Sequence, residues 1–124
     1  MISRSASVAA FAMPGGEGST SSRARPVDLA HLSRQTLGDR VIEQQVLQLF
    51  VQQALSVRDQ IAHADHTERL RLAHGLKGSA RSIGAFAIAD CVAEIEKRPA
   101  DRQLLKTLLS LIEEVRDFIA AICR

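Results

Sequence analysis

Thr67-Glu68-Arg69-Leu70-Arg71-Leu72-Ala73-His74-Gly75-Leu76-Lys77-Gly78-Ser79-Ala80-Arg81-Ser82-Ile83-Gly84 is the stretch that decides the fold. Its apolar residues Leu72, Leu76, Ala80 and Ile83 recur three and four apart, the spacing of one face of an α-helix. On the roughly opposite face, His74, Lys77, Gly78 and Arg81 share a stripe at i, i+3, i+4 and i+7. The helix therefore buries its leucines and turns its histidine to solvent. Glycine inside a helix costs about 1 kcal/mol relative to alanine, yet this one carries Gly75 and Gly78. Gly78 lies one turn beyond His74, where a missing side chain leaves a gap through which another protein can reach the imidazole. Lys77 and Arg81 flank that gap and Arg71 sits one turn earlier, so side chains able to hydrogen-bond phosphoryl oxygens surround the histidine. Such cationic neighbours disfavour the imidazolium and leave a neutral ring with a nucleophilic lone pair.

Working outward, Pro26 can open a short helix from Val27 to about Leu37, which Gly38 ends. Asp39 caps a second helix to about His63, with Val41, Ile42, Val46, Leu49, Phe50, Leu55, Val57 and Ile61 as its apolar side. Asp65 or Thr67 starts the third, which Gly84 stops. A fourth runs from about Phe86 to Lys97 before Pro99, and a fifth from about Asp101 to Ile122. No alternating β-rich segment occurs. Four amphipathic helices joined by short turns pack most simply as an all-α, antiparallel up-down four-helix bundle, with the short first helix as a lid on one end. Residues 27–124 form this one domain. The run from Pro14 to Arg25 is rich in Gly, Ser and Arg, which makes residues 1–26 a flexible N-terminal extension.

The run Ala73-His74-Gly75-Leu76-Lys77-Gly78, followed by Gly84, resembles the motif of the histidine-containing phosphotransfer (HPt) domain of multistep two-component phosphorelays. The likeness extends through Val27-Asp28-Leu29 and Leu49-Phe50 upstream to Ala89, Cys91 and Ile95-Glu96 downstream, covering roughly Val27 to Arg124. It implies the same helical bundle. It also implies that His74 accepts a phosphoryl group from a receiver-domain aspartate and passes it to another receiver, that Lys77 stabilises the phosphate, and that Gly78 permits docking. A further phosphate contact from Arg81 rests on helical geometry alone. The docking surface is expected around the His74 face, with Arg71, Leu70, Leu29 and Leu32 as its members. The implied partners are receiver domains of response regulators and hybrid histidine kinases. These 124 residues hold no Gly-rich nucleotide loop, no Walker lysine and no acidic cluster for Mg²⁺, so the reading is a carrier without kinase activity. It needs no cofactor of its own, the Mg²⁺ being supplied by the partner receiver. The alternative is a helical adaptor that binds a receiver or kinase partner without being phosphorylated.

Composition excludes other classes. The net charge of +2 is accounted for by Arg4, Arg23 and Arg25 against Glu17, and from Val27 onward the charges balance. With 3% aromatic residues and neither Trp nor Tyr, the chain lacks both the stacking platforms and the basic footprint of a nucleic-acid binder. A di-iron bundle would need inward Glu-x-x-His pairs, which are missing. Cys91 and Cys123 read as small hydrophobes in a reducing compartment. His63-Ala64-Asp65-His66 has a metal-like spacing, but it falls at a turn without further ligands and reads as surface histidines. His31 reads as surface or packing. No segment reaches the roughly 20 apolar residues of a membrane span, and the short apolar run from Ala6 to Met13 only faintly resembles an export signal. The expectation is a cytoplasmic monomer.

Overall fold

The computed structural model describes residues 25–123, so the expected extension lies outside the described residues apart from Arg25 and Pro26, and the apolar run from Ala6 to Met13 lies wholly outside them. The described residues form helices α1 (Leu29–Gln35), α2 (Arg40–Ile61), α3 (His66–Ile83), α4 (Phe86–Lys97) and α5 (Arg102–Ile122), with no strand. Each start has a local cause. The Asp28, Asp39, Asp65 and Asp101 side chains accept hydrogen bonds from the first free backbone N–H groups of α1, α2, α3 and α5, the usual work of an aspartate N-cap. Arg98 closes α4 ahead of Pro99, which restricts the residue before it to extended conformations. The first helix is shorter than the sequence suggests, because Thr36 caps it and Leu37 and Gly38 both take positive φ, at 55° and 78°.

Helices α2, α3, α4 and α5 contact in cyclic order, α2 with α3, α3 with α4, α4 with α5 and α5 with α2, while α1 lies against α3. This is the four-helix bundle with its short capping helix. Its core gathers Leu47, Phe50, Ala54, Val57 and Ile61 of α2, Leu72, Ala73, Leu76, Ala80 and Ile83 of α3, Ile88, Val92 and Ile95 of α4, and Leu105, Leu108, Ile112, Val115 and Ile119 of α5. Spacings of three and four on every helix produce one continuous apolar interior.

Two expectations are corrected here. On α2 the buried stripe runs through Leu47 and Ala54, whereas Val41, Ile42 and Leu49 stand exposed. The helix carries two apolar stripes, and only the one facing α3 and α5 is covered. Leu32, expected on the docking surface, is a core residue at 1% exposure, since it is the side chain through which α1 plugs the bundle end. Leu29 is half-buried against the same core.

The turn between α3 and α4 fixes the lid. Gly84 has φ 90°, and both its N–H and that of Ala85 donate to the Ala80 carbonyl, at 3.0 and 2.8 Å, a left-handed helix ending that glycine favours. The Asp28 N–H donates to the Gly84 carbonyl at 2.9 Å. A Cβ at Gly84 would lie 2.8 Å from the Asp28 carbonyl oxygen, which is main chain and cannot swing aside. His31 adds a second tie, its Nε2–H donating to the Arg81 carbonyl at 3.0 Å while its ring meets Phe86 edge-on at 5.1 Å. At the other end, Arg69 donates to the Ile61, Ala64 and Pro99 carbonyls, stapling two interhelical turns. Gly84→Ala should lower stability by roughly 2 kcal/mol or more, combining left-handed strain with the clash against Asp28; urea unfolding followed by circular dichroism measures it.

Candidate functional site: the outward face of α3

Helix α3 spans about 27 Å at 1.5 Å per residue, and its burial pattern sets its rotation. Ala73, Leu76 and Ala80 have no accessible surface, so the residues between them point away from the core. His74 emerges near the middle of the helix with its side chain 75% exposed. Gly75 and Gly78 are exposed beside it. A Cβ at Gly78 would meet nothing within 4 Å, and one at Gly75 would meet only the Gln53 amide nitrogen at 3.8 Å, an ordinary contact. Neither glycine relieves crowding among the described residues.

The electrostatics differ from the basic groove expected. The group that meets the imidazole is the carboxylate of Glu96, from the last turn of α4, whose Oε2 lies 3.0 Å from His74 Nδ1. The same carboxylate binds the Lys77 ammonium through Oε1. Lys77 is 17% exposed and Glu96 24% exposed, so this pair is well shielded. The Lys77 hydrogen bond is the main cause that holds the Glu96 carboxyl below the ordinary carboxylate range, opposed by partial burial and supported by the bond from His74. Glu96 is therefore ionised at neutral pH and can only accept. It follows that Nδ1 carries the proton, and that a neutral ring presents its lone pair at Nε2, on the open side.

The other expected members are placed as follows. Arg71 turns back onto Glu68, its Nε donating to Oε1 at 2.9 Å, so it is engaged within its own helix turn and is not beside the ring. Arg81 is exposed two turns beyond His74, and its side chain has no partner among the described residues. Leu70 is half-buried one turn before His74, on the outward side. Lys77, Gly78 and His74 thus converge, Arg81 stands nearby, Arg71 is diverted, and Leu32 is withdrawn into the core. Glu96 was missed as a partner of the ring. It lies 22 residues from His74, and the signal that could have found it is its place on the amphipathic α4, which a short turn after Gly84 returns alongside α3.

Outside this face, Cys91 is buried, and burial pushes its thiol up to about 11, which removes it as a nucleophile. Cys123 is a half-buried free thiol. His63 and His66 are exposed at the α2–α3 turn, and no group of three potential metal ligands gathers among the described residues.

An exposed helical histidine braced by a carboxylate, with a lysine and an open glycine one turn on, coincides with a family match. The model described as Hpt domain covers residues 45–118, from the first turns of α2 almost to the end of α5. The chain belongs to the Hpt domain family. Hpt domains serve histidine phosphotransfer in two-component phosphorelays, as phosphocarriers rather than kinases, and they interact with receiver domains. No curated protein and no solved structure matches the chain. Among the described residues of this Hpt domain, no helix is long and apolar enough to cross a membrane.

Two outcomes follow. Gly78→Leu should keep or raise the thermal midpoint, because a side chain there enters open space and helix propensity improves by up to about 1 kcal/mol; a calorimetric scan checks this. Lys77→Met should move the Glu96 titration upward, toward the ordinary carboxylate range, as read by the Glu96 side-chain carboxyl signal in an NMR acid titration. In the unaltered chain the pair's contribution to stability is present above that range and lost as pH falls through the lowered value.

Proposed function

We propose that His74 is the phosphoacceptor of a phosphorelay, receiving the phosphoryl group from the aspartate of one receiver domain and passing it to the aspartate of another. The observation that carries this reading is the Glu96 carboxylate shared between His74 Nδ1 and Lys77. It orients an exposed imidazole, assigns its proton to the inner nitrogen, and aims Nε2 outward on a rigid helix wall.

The transfer needs positioning and charge neutralisation rather than a covalent apparatus in this chain. The Nε2 lone pair attacks the phosphorus of the aspartyl phosphate, the N–P bond forms as the P–O bond to the aspartate breaks, and the carboxylate departs with the electron pair. The Nδ1 proton stays on the ring and on Glu96, whose negative charge offsets the positive charge that the ring acquires. Lys77 lies at the same carboxylate and can exchange part of its contact for a phosphoryl oxygen, while Arg81 supplies a second cation from one side of the gap. Donation to the next receiver is the same step reversed. The Mg²⁺ that such receivers use belongs to the partner's aspartate pocket, and we place the protein in the cytoplasm, acting as a monomer so that this face stays open.

The test is transfer from a receiver domain charged with a small phosphodonor in Mg²⁺, followed by intact mass. The wild type gains one acid-labile phosphoryl group and His74→Gln gains none. Lys77→Ala slows the transfer without abolishing it, by about tenfold for the loss of one charge-assisted hydrogen bond. The phosphohistidine is the Nε2 isomer, which NMR of the phosphorylated imidazole identifies. Glu96→Gln keeps the isomer, since an amide oxygen can still accept from Nδ1, but slows attack. Binding of a receiver by wild type and His74→Gln alike, with no phosphoryl gain, would point to the adaptor instead.

A further inference from the structure

Glu96 holds His74 Nδ1 toward α4. In an imidazole the bond that leaves Nε2 points away from the Nδ1 edge of the ring, so a group joined there leans from α4 toward α2. The two flanks of α3 are told apart by their neighbours, since Lys77 meets Glu96 of α4 and Gly75 borders Gln53 of α2. Charge favours the same direction. The Glu96 carboxylate repels a phosphoryl dianion, whereas from Val41 to Val57 of α2 the only ionisable residue is Glu43. That residue lies in the first turn of α2, where it accepts from the Thr36 hydroxyl at 3.1 Å. Gln53 is half-buried, and its amide nitrogen lies 3.8 Å from where a Gly75 side chain would begin. The amide has no hydrogen-bond partner among the described residues. Ser79, one turn past Gly75 on the same flank, is engaged instead, its hydroxyl donating to the Gly75 carbonyl at 3.4 Å.

We propose that Gln53 is a phosphoryl-binding residue, its amide N–H donating to an oxygen of the group carried on His74 Nε2 through the space that Gly75 leaves empty. The proposal rests on the carrier reading of His74 and assigns the phosphoryl oxygens on the side away from Lys77. Lys77 reaches the group from the α4 side and Gln53 from the α2 side, so two flanks fix its orientation for in-line attack. A primary amide has two N–H donors, and a neutral donor suits this flank. It orients the group with about half the strength of a charge-assisted bond, which fits a carrier that must release the phosphoryl group as readily as it takes it. Gly75 then has a role of its own. The helix gives up propensity there, and a larger side chain at that position would stand between the amide and the ring.

The experiment uses the full chain and phosphoramidate, with no receiver present, so that partner docking contributes nothing to the rate. Wild type should gain a phosphoryl group on His74, followed by intact mass. Gln53→Met, which keeps the length of the side chain and removes its donors, should be labelled about fivefold more slowly, the loss of one hydrogen bond of ordinary strength. Gln53→Glu should be slower still, and about 0.5 M NaCl should recover part of that further loss by screening the new carboxylate from the phosphoryl group. The thermal midpoints of both variants should stay near the wild-type value. Gln48→Met, exposed on the same helix, should be labelled like wild type. In NMR spectra of the wild type, phosphorylation should move the Gln53 side-chain amide protons downfield and leave those of Gln48 in place. Gln53→Met labelled at the wild-type rate, or Gln53 amide protons that do not move, would overturn the contact while leaving the carrier role intact. Absence of label on wild-type His74 from phosphoramidate and from a charged receiver alike would overturn both.

Discussion

Ala73, Leu76, Ala80 and Ile83 are enclosed on α3 almost completely, and this enclosure is the constraint on which the functional face depends. A helix packed on two sides cannot turn about its axis without exposing that stripe and burying charged side chains in its place. One residue of rotation would carry His74 or Lys77 toward the core, where an unpaired polar group costs several kcal/mol. The packing of α3 therefore sets the direction of the imidazole before any polar contact is made. Two of the four buried positions are alanines, which let α2 and α4 come close enough for side chains from both to border the outward face.

On that face, polar contacts refine what packing has set. Glu96 holds a ring nitrogen and a lysine at once, and each partner makes the other's geometry more useful. Lys77 keeps the carboxylate charged; the charged carboxylate fixes the ring's proton at Nδ1; the fixed proton leaves Nε2 as the exposed base. Gly78 contributes by absence, since nothing among the described residues occupies the space that its side chain would take. The helix gives up propensity there and keeps an approach to the ring. Gly84 is a different case, because its positive φ and its contact with Asp28 are internal requirements of the α3–α4 turn and of the lid. One glycine leaves open space beside the ring and the other serves the fold.

The five helices were legible because helix ends and faces are local properties. Aspartate caps, glycine and proline stops and spacings of three and four placed α4 at its observed limits and the others within a few residues. The face of α3 was legible for the same reason, with His74, Lys77, Gly78 and Arg81 outward and Leu72, Leu76, Ala80 and Ile83 inward. Where a helix carries two apolar stripes, local pattern does not say which is covered. Leu49 and Ile42 were read as core and are exposed, while Leu32 was read as surface and is enclosed. Arg71 was read as part of a basic groove, yet a carboxylate three residues earlier on its own helix engages it.

By itself, then, the sequence determined that the chain is an all-helical bundle and that one helix offers a histidine, a lysine and a glycine to solvent, since periodicity and capping act over a few residues. The tertiary structure alone decided that Glu96 meets His74 across 22 residues of chain, that the surroundings of the ring are a shared carboxylate rather than a ring of cations, and that Gln53 of α2 lies beside Gly75. Those outcomes depend on which helix faces pack together and at what axial offset. Many side chains settle that jointly, and no single stretch of sequence encodes it.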